Sequence, residues 1–468
     1  MWWLEICLTA KQPYLVRSLV TEILAKYVRT GDNVVMGESN LSNVVRLPSF
    51  GSKQQPVKRT VRWSAVGAIT GALVGTALAI IPTLASIFAR TVVTPDPKPT
   101  EDVQVYNYLP TRGVSGAGLI ELSVTPQTTV RGQYALVFNE GTGVARIGEI
   151  VATERKRDTI TRIVEEVYSG DLTQAVRGRW AGFVWPTPKE AGYVYRNVEI
   201  PVDDGLAPAW LIEPKRSTQH SNTWLITVHG RGSKRNEGLR MMGVAQRMGM
   251  PGLMVSYRND GDAPDARDRK FGLGATEWPD IEAAILYALN HGATSVVLGG
   301  FSMGGAVSLQ VMYRSALSSY IRGLVLVGPV IDWLDVLRHQ ARINRLPHIA
   351  GKLGSWLIES PWGKTITGLA SPVDLQRLDW VTRSDDITHP ILILHSENDD
   401  FVPIGPSEQL AAKNRKLVSM VRFQEARHTR EWNVDPERFD SAMLTWLHVL
   451  LTGPQHSRLS LSSPKTAE

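Results

Sequence analysis

The sequence predicts an α/β fold: a mostly parallel sheet covered by helices on both faces, preceded by one transmembrane helix and a small β-rich unit. Three observations lead there. Strand-like and helix-like runs alternate beyond residue 194, one long uncharged apolar run occupies 63–89, and short β-like pieces broken by glycine turns fill 103–194. The expected order is a cytoplasmic tail over 1–62, the span over 63–89, a linker over 90–102, the β-rich unit over 103–194, the α/β domain over 195–452 with a lid insertion at about 330–388, and a tail over 453–468.

A chain of 468 residues suggests more than one unit. Of the net charge of +6, residues 1–62 hold nine Lys/Arg against four Asp/Glu, leaving 42 against 41 for the rest. The large C-terminal part therefore lacks a basic footprint for phosphates, and no nucleic-acid partner is expected. The single cysteine, Cys7, excludes an intrachain disulfide.

The first element is "WSAVGAITGALVGTALAIIPTLASIFA", Trp63 to Ala89, 27 residues with no ionisable side chain. About 20 apolar residues suffice to cross a bilayer core. Lys53, Lys58, Arg59 and Arg62 crowd its N-terminal flank. By the positive-inside rule the N-terminus stays in the cytoplasm, and everything after about residue 90 lies on the extracytoplasmic side of the cell membrane. A cleaved signal peptide read from Met36 is the alternative, and it also exports the main domain. Gly67, Gly71 and Gly75 recur every four residues on one helix face, where a second copy of the helix can approach. Upstream, "YLVRSLVTEILAKYV" has the spacing of an amphipathic helix.

The linker "TPDPKPTED" is stiffened by proline. The β-rich unit follows with "LIELSVT", "YALVFNE", "RIGEIVATE" and "DTITRIVEEV", none of which carries a catalytic constellation. In the α/β domain the strands are "TWLITVHG", "GLMVSY", "SVVLGGF", "GLVLVG", "ILILHS" and "KLVSMVRF", separated by helical runs such as "DIEAAILYALNHG". Sheets of this kind bind ligands beyond the carboxyl ends of their strands.

At one such end, "SVVLGGF" leads into "MGGAVSLQVMY", and Gly300, Phe301, Ser302, Met303 and Gly304 spell G-x-S-x-G. A nucleophile at a sharp strand-to-helix turn needs glycines two positions away so that strand and helix pass closely. The turn also aims the Met303 N–H at a developing oxyanion. A serine hydroxyl needs a base and a carboxylate to orient that base, here in the chain order serine, acid, histidine. "ILILH" ends in "SENDDFVP", which offers Asp399 or Asp400. Of the later histidines, His448 lies in an apolar helical run and His456 in a polar tail, so His428 in "EARHTREWN" is the base. A second oxyanion donor is the N–H of Arg231, in "ITVHGRGSKRN" after an earlier strand, with His229 either stabilising that turn or taking a direct chemical part. Tyr257, Arg258 and Asp260 lie on the expected active side, where they either bind substrate or order their loop, and Glu277 lies near by. Between 330 and 388, Trp333, Leu334, Leu337, Trp356 and Trp362 either line an apolar pocket or pack ordinarily; Trp333 is the candidate substrate contact.

Together these motifs resemble the α/β-hydrolase superfamily over about residues 195–452. "HSENDDFVP" is similar to that family's H-G-x-x-D-x-x-V-P segment with Ser396 for glycine, which selects Asp399 as the acid. "HGRGSKRNEGLR", "SYRNDGDAP" and "GFSMGG" resemble membrane-anchored or exported actinobacterial hydrolases of the prolyl-oligopeptidase-like, acyl-peptidase-like branch. The resemblance implies a serine hydrolase without metal or cofactor, acting on a small-molecule or peptidic ester or amide through an acyl-enzyme. An esterase or lipase-like activity is the favoured reading. A peptidase, or a catalytically idle envelope binding protein, is the alternative.

Overall fold

The computed structural model describes residues 79–96, 99–111, 113 and 116–453. Residues 79–93 are helical (α1). Six strands follow: β1 (Val103–Pro110), β2 (Gly118–Ser123), β3 (Tyr134–Phe138), β4 (Gly143–Glu154), β5 (Thr159–Ser169) and β6 (Arg177–Ala181). They close into a barrel in the order β1-β2-β5-β4-β3-β6, with β6 paired back onto β1. The period of two is plain in β2, where Ile120 and Leu122 face the barrel core and Leu119 faces out. Closure leaves no open sheet edge, so a small β unit needs no further cover there.

The barrel interior contains a fully buried cation. Arg162 of β5 donates to the carbonyls of Gly148, Thr128, Val130 and Gly132, and its guanidinium lies 5.4 Å from the Tyr134 ring centre and 5.2 Å from that of Trp180. Burial pulls its pKa down to about 10, so it remains charged at neutral pH. Carbonyl dipoles and aromatic faces stand where a carboxylate would otherwise be required.

The remaining strands are β7 (Arg196–Val202), β8 (Gly205–Ile212), β9 (Thr223–Val228), β10 (Gly252–Val255), β11 (Ser295–Phe301), β12 (Ile321–Val327), β13 (Ile391–Ser396) and β14 (Val418–Phe423). They form an eight-stranded sheet in the order β14-β13-β12-β11-β9-β10-β8-β7. From β10 to β14 neighbours run parallel, while β7 and β8 form an antiparallel hairpin on the β10 edge. Every residue of β9, β10 and β13 is buried, as a sheet covered on both faces requires. Leu225 and Val297 join the apolar layer on one face, and their neighbours Ile226 and Leu298 the layer on the other.

The helices are α2 (Leu239–Met248), α3 (Trp278–Asn290), α4 (Met303–Arg314), α5 (Trp333–Ile343), α6 (His348–Glu359), α7 (Lys364–Thr367), α8 (Gly405–Lys413), α9 (Glu431–Val434) and α10 (Pro436–Thr452). Helices α5 to α7 occupy the stretch between β12 and β13. The chain leaves β9 in one direction to make β10, then returns to the other side of β9 as β11. The carboxyl ends of β9 and β11 therefore flank a topological switch point.

The transmembrane and extracytoplasmic expectations require correction. Among the described residues no helix is long and apolar enough to cross a membrane. The apolar residues of 79–93 serve another purpose: Ala85, Phe88, Ala89 and Val93 are buried in the same core cluster as Leu357 and Ile358 of α6. Gly354 makes room for this, since a Cβ there would lie 2.7 Å from Phe88 Cδ1. The end of α1 is tied down as well, with Phe271 N–H donating to Val93 O at 2.8 Å. The span was also the ground for a membrane partner and for exporting the later residues, and the described residues supply no such helix for either expectation. The rest of the predicted span, with Gly67, Gly71 and Gly75 and the helix pairing read from them, lies outside the described residues. So do the stretch over 1–62, the alternative start at Met36, and residues 454–468. The expected small β-rich unit takes the form of a closed six-stranded barrel.

If α1 is part of the domain core, Phe88→Ala should lower stability by about 3 kcal/mol. Thermal unfolding of the full chain would show a clear drop in Tm; an unchanged Tm would mean that the helix does not pack on the domain.

Candidate active site

At the end of β11, Ser302 adopts φ 51 and ψ −116, and helix α4 starts at the next residue. A non-glycine residue in such a conformation costs on the order of 1–3 kcal/mol and persists only where its surroundings impose it. Here they do. Ser302 N–H donates to Val327 O at 3.0 Å, and Ser302 O accepts from Gly305 and Val330 N–H at 3.0 and 3.2 Å. The neighbouring glycines are obligatory. A Cβ on Gly300 would lie 2.7 Å from Gly304 O, and one on Gly304 would lie 2.2 Å from Val228 O. Met303 is the first residue of α4, so its N–H points out of the helix end without an intrahelical acceptor.

The structure brings Ser302, His428 and Asp399 together. His428 Nε2 is 2.8 Å from Ser302 Oγ, and His428 Nδ1 is 2.8 Å from Asp399 Oδ2. The carboxylate requires Nδ1 to carry the proton, which leaves Nε2 to accept from the serine hydroxyl. Asp399 Oδ1 accepts the N–H groups of Phe401 and Val402, and Oδ2 also accepts from His395 Nε2 at 3.2 Å. Burial alone would raise the Asp399 carboxyl, but the His428 and His395 imidazoles outweigh it and hold it far below the ordinary carboxylate range. Burial would likewise depress the His428 imidazolium; the Asp399 carboxylate more than offsets this and raises its pKa above the usual imidazole value. Asp400, the other acid offered by the loop, accepts the backbone N–H of His428 at 3.3 Å.

The loop after β9 lies against the serine: a Cβ on Gly230 would sit 3.1 Å from Ser302 Cβ. Three side chains pin that loop. Glu237 accepts from Gly230 N–H at 2.8 Å, Tyr257 donates its hydroxyl to His229 O at 3.0 Å, and the Arg231 guanidinium reaches Thr91 O and Thr94 O at the end of α1. The His229 ring stacks on Tyr257 and bridges Gly230 O and Asp260 Oδ2, so it stabilises the turn.

The candidate substrate contacts have other work. Tyr257 is fully buried under His229, Arg258 forks onto Asp280 with 2.5 and 2.9 Å contacts, and Trp333 is buried with its Nε1 donating to Leu273 O at 2.7 Å. Their polar groups order loops around the site. Glu277 similarly accepts from the N–H groups of Gly272 and Gly274. Of the other aromatics in the insertion, Trp356 is 48% and Trp362 82% exposed.

Sequence reasoning missed four buried polar residues around the site. Glu237 and Arg240 form a buried ion pair at 2.9 Å, and Arg240 also donates to Thr429 O and Asn433 Oδ1. Burial alone would raise the Glu237 carboxyl, but Arg240 outweighs it and keeps it below its ordinary value. Glu431 accepts from Ser396 N–H, and burial pushes its carboxyl up to about 7. Nothing in the spacing of "NEGLR" and "REWN" marks these residues as buried, and their types are usually exposed. Among the described residues no group of three or more His, Cys, Asp or Glu side chains is placed to hold a metal ion.

Residues 225–442 match the model of the alpha/beta hydrolase family, and residues 111–181 match a domain of unknown function (DUF8805). No curated protein matches the chain. Among solved structures, similarity is found to the esterase Pf2001 of Pyrococcus furiosus at 19% identity, covering 56% of this chain and 93% of that one with a TM-score of 0.43. It is also found to Est1E of Butyrivibrio proteoclasticus at 16% identity, covering 55% and 98% with a TM-score of 0.40. The esterase RhEst1 of Rhodococcus sp. ECU1013 is similar at 17% identity, covering 55% and 99% with a TM-score of 0.37.

Removing the Asp399 charge takes away the largest influence that opposes burial at His428 and leaves only those of Glu431 and Glu237. In Asp399→Asn the imidazole pKa should therefore fall below that of the parent protein, a sign readable from the pH dependence of its ring resonances by NMR. An equal or higher value would mean that the carboxylate does not control the imidazole.

Proposed function

We propose that this serine hydrolase of the α/β-hydrolase superfamily, matched over residues 225–442, cleaves carboxylic esters through an acyl-enzyme on Ser302. The observation that carries the reading is the line from Ser302 Oγ through His428 to Asp399, at a strained elbow beyond the sheet's switch point. In the first half-reaction Ser302 Oγ attacks the ester carbonyl carbon while His428 Nε2 takes its proton. Charge gathers on the carbonyl oxygen, where the N–H groups of Met303 and Arg231 receive it. Asp399 stabilises the imidazolium in this step. The tetrahedral species collapses, the carbon–oxygen bond to the alcohol breaks, and the leaving alkoxide takes the proton from His428. A water then repeats the sequence with His428 as base, releasing the carboxylic acid and restoring the serine hydroxyl.

Esters are favoured over peptides by the state of Arg258 and Tyr257. Both were expected either to bind substrate or to order their loop; Arg258 is paired with Asp280 and Tyr257 is buried beneath His229, which leaves neither free to hold a peptide's polar groups.

The reading is tested by incubating the full chain with a fluorophosphonate probe and with short acyl esters and aminoacyl amides. Labelling and ester turnover should be seen, and Ser302→Ala should lose labelling and at least about 10⁴-fold in kcat. Preference for the amides would move the assignment to a peptidase; a folded but unreactive chain would refute it.

A further inference from the structure

The loop that carries His428 is shared with the barrel. Ala426 and Val434, on either side of the histidine, are buried in the barrel's own hydrophobic core cluster with Tyr134, Leu136 and Trp180. On either side of His428 the backbone is unfavourable when left to itself: Glu425 has φ 65 and Thr429 φ 53. A loop with left-handed residues on both sides of its working side chain keeps that shape only if something external holds it.

The barrel supplies the hold through the segment between β2 and β3. Gln127 Nε2 donates to Asp400 Oδ2 at 2.9 Å, and Asp400 Oδ1 accepts the His428 N–H. Gln133 N–H donates to Asn433 O, while the Asn433 amide donates back to Gln133 O and to Gly182 O at the end of β6. Two glycines allow the surfaces to meet. A Cβ on Gly132 would lie 1.9 Å from Asn433 O, and one on Gly182 would overlap the Arg430 guanidinium. The segment is rigid because Arg162, inside the barrel, holds the carbonyls of Thr128, Val130 and Gly132.

We propose that the barrel is the positioning module of the general base, and that Gln127 is a positioning residue acting on His428 through Asp400. The carboxylate can receive the His428 N–H with one oxygen because Gln127 fixes the other. Arg162 in turn fixes the segment that presents Gln127. The inference rests on the reading of Ser302 and His428 as nucleophile and base.

The test uses the full chain with Gln127→Ala, and with the double variant Gln127→Glu with Asp400→Asn. The double variant exchanges donor and acceptor across the contact while leaving an oxygen for the His428 N–H. Gln127 is only partly buried, so its loss should leave Tm nearly unchanged. The expected result for Gln127→Ala is a loss of about 10-fold or more in kcat and in the fluorophosphonate labelling rate, with KM unchanged. The low-field proton resonance of the His428 Nδ1–H should shift or broaden, and the double variant should restore rate and resonance. Parent-like rates and resonance in Gln127→Ala would overturn the proposal. So would a loss that follows Tm and is not recovered in the double variant. If the parent chain is unreactive, the hydrolase reading fails separately, while the resonance still reports whether Gln127 positions the imidazole.

Discussion

The contact between His428 Nε2 and Ser302 Oγ joins side chains 126 positions apart. Neither partner is held by local preference. Ser302 sits at a φ that its own backbone disfavours, and His428 lies between two left-handed residues. The surrounding sheet, helices and barrel must therefore supply the order that the two short segments lack. Strand β11 and helix α4 define the serine, and β13 and the turn after it define the carboxylate. The loop after β14 defines the imidazole only with help from outside the sheet.

Much of that order is carried by buried charge. Glu237 accepts the N–H of Gly230 beside the serine, pairs with Arg240, and lies beside the hydroxyl of Thr429 next to the histidine. One carboxylate thus ties the candidate oxyanion loop to the loop of His428. A buried pair of this kind is a poor source of stability compared with well-packed apolar residues, because both ions lose their hydration. What it contributes is specificity of placement: moving either loop strips a partner from an ion that water cannot reach. Arg162 plays a comparable part in the barrel, with carbonyls in place of a carboxylate.

The parallel strands and the elbow could be read from the sequence because their signals are local. β-branched runs that end in glycine clusters have few other uses, and the two glycines flanking Ser302 are demanded by contacts of less than 3 Å. Residues 79–89 of the N-terminal apolar run were misread because a bilayer and a domain core make the same demand on composition. Nothing in "IIPTLASIFA" indicates that Phe88 meets Gly354, some 260 residues later. Barrel closure was hidden for a different reason: β6, "RGRWA", has two arginines and a glycine in five residues and lacks an apolar run. The buried network of Glu237, Arg240, Glu431 and Asn433 was invisible because each residue type is usually solvated. Tyr257 and Arg258 follow the carboxyl end of β10, but which neighbour each meets depends on loops with no periodicity.

The sharing of Ala426 and Val434 between the two folds has a consequence for how this architecture can be recombined. A fusion that replaced the barrel with another module, keeping the junction near residue 195, would leave two apolar side chains of the hydrolase uncovered. A chimera would have to import the stretch from Glu425 to Val434 along with its barrel. Natural or engineered shuffling should therefore treat the two as one heritable block, although they are separate in the primary structure.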